Sequence, residues 1–221
     1  VLITYLIIGF TVLASAQAFS NYDLLYKLKH WPYAEARRGE YHRWLSAGFL
    51  HADWMHLLFN MLTLYFFGAD QRPPSYKAEG VGFPGVEGWF TASFPGFGAL
   101  LYLVFYLAAI VVASLGTYFK HRDNPGFASI GASGAVSAVL YAAILMNPTM
   151  SLYLFFIPIP IPGFIYGFLY LWYSSHASRR GGDGIDHLAH FYGAVFGFTF
   201  PLLIEPGLLK QFVVQLQLWL Q

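Results

Sequence analysis

Ser133 lies in Gly131-Ala-Ser133-Gly134, at the head of an apolar run that continues to about Met146. A serine flanked by glycines is unhindered, and a hydroxyl in an apolar segment is costly unless it faces the protein interior or a water-filled cavity. Two other apolar segments carry polar side chains. One holds His56 and Asn60, a helical turn apart, and the other is Asp186-His187-Leu-Ala-His190-Phe-Tyr-Gly193. A serine, a histidine able to take its proton, and amide and imidazole donors for a developing oxyanion suffice for acyl transfer. Each motif also has a plainer reading. Gly131, Ser133, Gly134, Ala135 and Ala138 make a small-residue packing face, His56 and Asn60 make polar glue between helices, and His190 is a buried, hydrogen-bonded histidine. Taken singly, the serine motif favours the plainer reading.

Composition decides what surrounds these residues. Of 221 residues, 57% are hydrophobic, 20% aromatic and 10% charged, which predicts a polytopic membrane protein. With no cysteine, disulfides, thiolate metal sites and a cysteine nucleophile are excluded. The net charge of +1 gives no reason to expect nucleic acid. Six spans are expected, at roughly 1–19, 49–68, 97–119, 128–146, 152–174 and 187–204, the first read as a span and not as a signal peptide. The fold class is therefore an all-α membrane protein, a six-transmembrane-helix bundle, with one domain over 1–206 and an amphipathic C-terminal tail over 207–221. Residues 20–47 mix basic and aromatic side chains and predict short interfacial helices. Residues 70–96, rich in Gly and Pro, read as an irregular connector. In the fifth span Pro158, Pro160 and Pro162 cannot continue a helix, so its first third is expected to be extended, leaving a helix from about Phe164 to Tyr173.

Successive spans alternate in direction, so the second, fourth and sixth start from one side. At about 1.5 Å per residue, Ser133 lies about 9 Å and His190 about 6 Å below that surface, with His56 and Asn60 at a similar depth. This coincidence favours chemistry over glue. No carboxylate sits deep enough to orient the histidine, so a Ser133–His190 dyad remains. Gly193 and Gly197 can let the sixth span approach the small-residue face of the fourth.

With these residues assembled, the chain resembles the rhomboid family of intramembrane serine proteases from about Arg43 to about Phe200. The family's Gly-X-Ser-Gly, His-X-X-X-Asn and Ala-His-X-X-Gly appear as Gly131–Gly134, His56–Asn60 and Ala189–Gly193. The resemblance implies Ser133 as nucleophile, His190 as general base, and His56, Asn60 and the Ser133 amide as oxyanion donors, with Gly131 in the oxyanion and substrate-binding set. It implies structural roles for His51 and Arg43. No cofactor or metal is expected, and the partners are transmembrane protein substrates and the lipid bilayer. One departure is Ser137, where family members often carry an aromatic residue on which the imidazole rests; Tyr141 and Tyr192 are the candidate substitutes. The 70–96 connector is also longer than the family pattern.

The alternative function is a non-catalytic rhomboid-like module that binds or remodels transmembrane helices, although such proteins typically lack the serine or the histidine. A metalloprotease using His51, His56, His187 and His190 would lack its base, because His187-Leu-Ala-His190 has no His-Glu-X-X-His arrangement, and a transporter would show broken-helix repeats or an intramembrane carboxylate. The resemblance also implies a cell or plasma membrane location with the site opening outside the cytoplasm. Loop charge argues the reverse, since Lys27, Lys29, Arg37, Arg38, Arg43, Lys120, Arg122, Arg179 and Arg180 lie on the site's side and only Arg72, Lys77 and Lys210 on the other.

Overall fold

The computed structural model describes residues 2–80, 82–154, 157–180 and 182–221. It is mostly helical. The elements are α1 (Leu2–Phe19), α2 (Tyr22–Leu28), α3 (Pro32–Arg38), α4 (Arg43–Ser46), α5 (Trp54–Gly68), α6 (Pro74–Glu79), α7 (Gly85–Ser93), α8 (Gly98–His121) and α9 (Ser133–Met146), then β1 (Ser151–Leu154), β2 (Ile157–Pro162), α10 (Gly163–Arg180), α11 (His187–Ile204) and α12 (Gly207–Trp219). Among the described residues, α1, α8 and α11 are long and apolar enough to cross a membrane. Their outward residues are apolar, as at Leu6, Phe10 and Leu13 of α1 and Leu100 and Val104 of α8, which suits lipid contact.

Everything is arranged around α9. All of its residues from Gly134 to Met146 are buried, and it packs against α5, α8, α10, α11 and α12. At 14 residues it spans only about 21 Å at about 1.5 Å per residue, short of the hydrocarbon thickness. Non-helical backbone over 122–132 leads into it, largely exposed over 122–128 and buried at Ala132. Ser133 therefore opens the helix, instead of lying six residues inside one as the sequence reading had it.

The small residues on α9 and α11 explain how closely these two helices pack. A Cβ on Gly193 would stand 2.0 Å from the carbonyl oxygen of Gly134, and one on Gly197 would stand 2.0 Å from that of Ala138. Behind this seam the core is aromatic: Phe90, Tyr102, Phe105 and Tyr106 are fully buried, and Phe105 stacks on Phe196 at 5.7 Å.

Three expectations need correction. The fold is not purely helical, because β1 and β2 pair antiparallel. The alternating prolines of β2 cannot enter a helix and are compatible with a two-stranded edge. Beyond them α10 continues to Arg180, well past Tyr173. The 70–96 connector is not irregular throughout, since it carries α6 and α7. Val86 and Phe90 of α7 are fully buried, and Glu87 accepts from the amides of Ile3 and Thr4 at 3.0 and 2.8 Å, capping α1. The tail forms α12. Leu208 is buried and Gln215 Nε2 donates to the Met146 carbonyl at 3.1 Å, but Leu209, Val213, Val214 and Leu218 on other faces are exposed and apolar.

The first loop does hold short helices, α2 to α4. Arg43 is buried there, donating to the carbonyls of Tyr26 and Lys29 at 2.8 and 3.0 Å and pairing with Glu40 at 2.7 Å. His51 ties the start of α5 to two neighbours. Ser15 Oγ donates to the Phe49 carbonyl, so His51 Nδ1–H donates to Ser15 Oγ at 3.0 Å and its Nε2 accepts from the Ala132 amide at 3.4 Å.

Candidate active site

Ser133 Oγ and His190 Nε2 are 2.8 Å apart. For the hydroxyl to donate, the imidazole carries its proton on Nδ1. Among the described residues no carboxylate bonds that ring. Asp186 binds Ser129, Thr117 and Ala189, and Asp183 takes the hydrogen bond of His187 Nε2 at 2.7 Å. That bond holds the exposed Asp183 carboxyl below the ordinary carboxylate range.

The pair opens onto a cavity of about 550 Å³ enclosed by α5, α9, α10 and the start of α11, with His56, Asn60, Ser137 and Tyr170 on its wall. His56 is held by the N-terminal turn of α5, where Asp53 Oδ1 accepts the His56 amide at 2.8 Å. Its Nδ1 accepts from the Ala52 amide at 3.4 Å, which leaves the hydrogen on Nε2. That edge of the ring faces Gly131, whose φ of +135° suits glycine and whose hypothetical Cβ would lie 3.0 Å from His56 Nε2. Asn60 Nδ2 donates one hydrogen to the His56 carbonyl at 2.9 Å and keeps a second. The Ser133 amide, at the first position of α9, has no helical acceptor. The serine thus shares one cavity wall with two side-chain donors, His56 Nε2–H and Asn60 Nδ2–H.

Neither Tyr141 nor Tyr192 supports the imidazole. Tyr192 lies against Gly116 of α8, and Tyr141 donates to the Gly167 carbonyl. The ring on His190 is Tyr170 of α10, stacked at 6.1 Å and 24°, with its hydroxyl 2.9 Å from Ser137 Oγ. The small Ser137 leaves room for a ring from another helix and anchors it. Sequence reading missed Tyr170 because it searched only near the serine and histidine; the signal was an aromatic in the fifth span opposite an unusually small residue.

Substitutions at Ser137 and Tyr170 test this packing. Ser137→Tyr should collide with Tyr170 and inactivate, and Tyr170→Ala should lower kcat about tenfold or more by freeing the imidazole. Steady-state kinetics check both; an active Ser137→Tyr variant contradicts this packing.

A helical membrane protein with a serine and a histidine in contact inside its bundle is the class that fold and site define. The family model for the Rhomboid domain matches residues 38–72 and 92–206. The chain is also 31% identical over 160 residues to RHOMBOID-like protein 12, mitochondrial, of Arabidopsis thaliana, an alignment covering 72% of this chain and 45% of that relative. The chain belongs to the rhomboid family. It spans about half the length of that relative, and the unmatched residues 73–91 fall inside the long connector.

Proposed function

We propose that this chain is an intramembrane serine endopeptidase that cleaves membrane-anchored proteins in or near their transmembrane segments. The observation that carries the reading is the 2.8 Å contact between Ser133 Oγ and His190 Nε2, on the wall of a cavity that His56 and Asn60 share. In this reading α5, α9 and α10 complete a six-span bundle with α1, α8 and α11. Short α9 never meets lipid because its neighbours enclose it.

The chemistry follows from the geometry. Ser133 Oγ attacks the scissile carbonyl carbon and its proton passes to His190 Nε2. The carbonyl oxygen becomes an oxyanion that accepts from the Ser133 amide, His56 Nε2–H and Asn60 Nδ2–H. His190 then gives the proton to the departing amide nitrogen, leaving an acyl-serine. Water attacks that ester, losing a proton to His190, and the serine is restored. The substrate helix enters laterally past α10, which begins only after the proline-rich strand β2, and water enters from the loop side.

Loss of one oxyanion donor costs about 10²–10³ in kcat in comparable sites. Asn60→Ala and His56→Ala should each show that loss with little change in KM. A fall in thermal stability with intact specific activity would make them helix glue instead.

We place the opening away from the cytoplasm. The Arabidopsis relative is named as mitochondrial, which lends the plasma-membrane expectation for this chain no support. With no native cysteine, Ser20→Cys and Ser75→Cys report the two sides cleanly, since both residues are exposed. In sealed membranes of known orientation, an impermeant maleimide on the non-cytoplasmic side should label position 20 and spare position 75. The opposite pattern overturns the orientation.

A further inference from the structure

The two reacting side chains come from segments 57 residues apart in the chain. Four residues before each of them, a second hydrogen bond joins the same two segments at the same separation: Ser129 Oγ donates to Asp186 Oδ2 at 2.9 Å. The other carboxylate oxygen accepts from Thr117 Oγ1 of α8 at 2.7 Å and from the Ala189 amide at 3.0 Å, capping α11. The Asp186 carbonyl accepts the His190 amide at 3.2 Å. Thr117 is fully buried, and Ser129 is fixed in turn by a backbone pair with His30 at 3.0 and 2.9 Å. One side chain therefore joins α8, the strand of chain leading to Ser133, and the first turn of the helix that carries His190.

We propose that Asp186 is a positioning residue that sets the register of the His190 helix against the Ser133 segment. The proposal rests on the protease reading of the site. An aspartate fits the task because three donors converge on its two oxygens, and hydrogen bonds to an ionised acceptor are the strong ones. Its negative charge also suits a helix N-terminus. Asparagine can keep the cap but offers a single acceptor oxygen, so one of the two hydroxyls loses its charged acceptor. The close glycine seam holds α9 and α11 together from Gly134 and Gly193 onward, and the Asp186–Ser129 bond fixes the two segments just ahead of the reacting side chains.

The test measures kcat, KM and the rate of acylation by a fluorophosphonate on the full chain in liposomes, with thermal unfolding alongside. A misplacement of about 1 Å costs about 10²-fold, so Asp186→Ala should lower kcat and acylation by about that factor at nearly unchanged KM. Ser129→Ala should cost about tenfold, as expected for one hydrogen bond to a charged group, while Ser129→Thr should remain near wild type because it keeps the hydroxyl. Asp186→Asn should fall between, and Asp186→Ala/Ser129→Ala should be no worse than Asp186→Ala alone. Wild-type acylation in folded Asp186→Ala, or a Ser129→Thr variant as impaired as Ser129→Ala, overturns the proposal. If Asp186→Ala does not fold, the Ser129 pair decides. A wild-type chain that is not acylated at all removes the protease reading and this proposal with it, a result distinct from equal acylation of wild type and variants.

Discussion

Ser133→Ala and His190→Ala should each reduce cleavage of a transmembrane substrate to background, and the double variant should be no worse than either alone. Nucleophile and base act as a unit, and loss of either in comparable serine machinery costs about 10⁶ in kcat. The change at Ser133 removes little else, because the described partner of its Oγ is His190. The variants should therefore unfold at nearly the wild-type temperature, which separates lost chemistry from lost structure. Cleavage by Ser133→Ala well above background contradicts the assignment.

The second large effect is expected far from any reacting atom. Gly193→Leu and Gly197→Leu should be as inactivating as loss of His190. A Cβ at either position would stand 2.0 Å from a backbone carbonyl oxygen of α9, where an ordinary carbon–oxygen approach is about 3.4 Å. A backbone carbonyl cannot swing aside as a flexible side chain can, so the helices must part by more than about 1 Å. The 2.8 Å contact of Ser133 and His190 cannot survive that separation. Gly193→Ala and Gly197→Ala should already be impaired. Wild-type kinetics in either leucine variant would mean that α9 and α11 do not meet at this seam.

Much of the site was legible in the sequence because its residues break a strong pattern. Polar side chains in apolar runs are few, and their helical spacing marks a shared face, so Ser133, His56, Asn60 and His190 stand out before any coordinates. The glycines of α11 were legible for the same reason, as small residues one turn apart after the histidine. Other features depend on contacts that no local pattern carries. Tyr170 is one of the chain's 16 tyrosines, and only packing shows which ring lies on His190. Asp186 reads locally as a helix cap, and its bonds to Thr117 and Ser129 join residues 69 and 57 positions away. The connector was misread because its prolines and glycines punctuate α6 and α7 without preventing them. The start of α9 was misplaced because an apolar run looks the same to periodicity whether helical or extended, and Ser129 is held in extended chain by its backbone pair with His30.

The central claim is that Ser133 is an activated nucleophile, and covalent labelling tests it most directly. A fluorophosphonate probe reacts with a serine only when a base takes its proton and donors receive the developing charge. The folded chain in liposomes should be labelled at Ser133, as located by peptide mass mapping, and labelling should vanish in His190→Ala while the serine remains. Absence of labelling in folded wild-type protein, or equal labelling of wild type and His190→Ala, would contradict the account and favour a rhomboid-family module that binds transmembrane helices without cutting them.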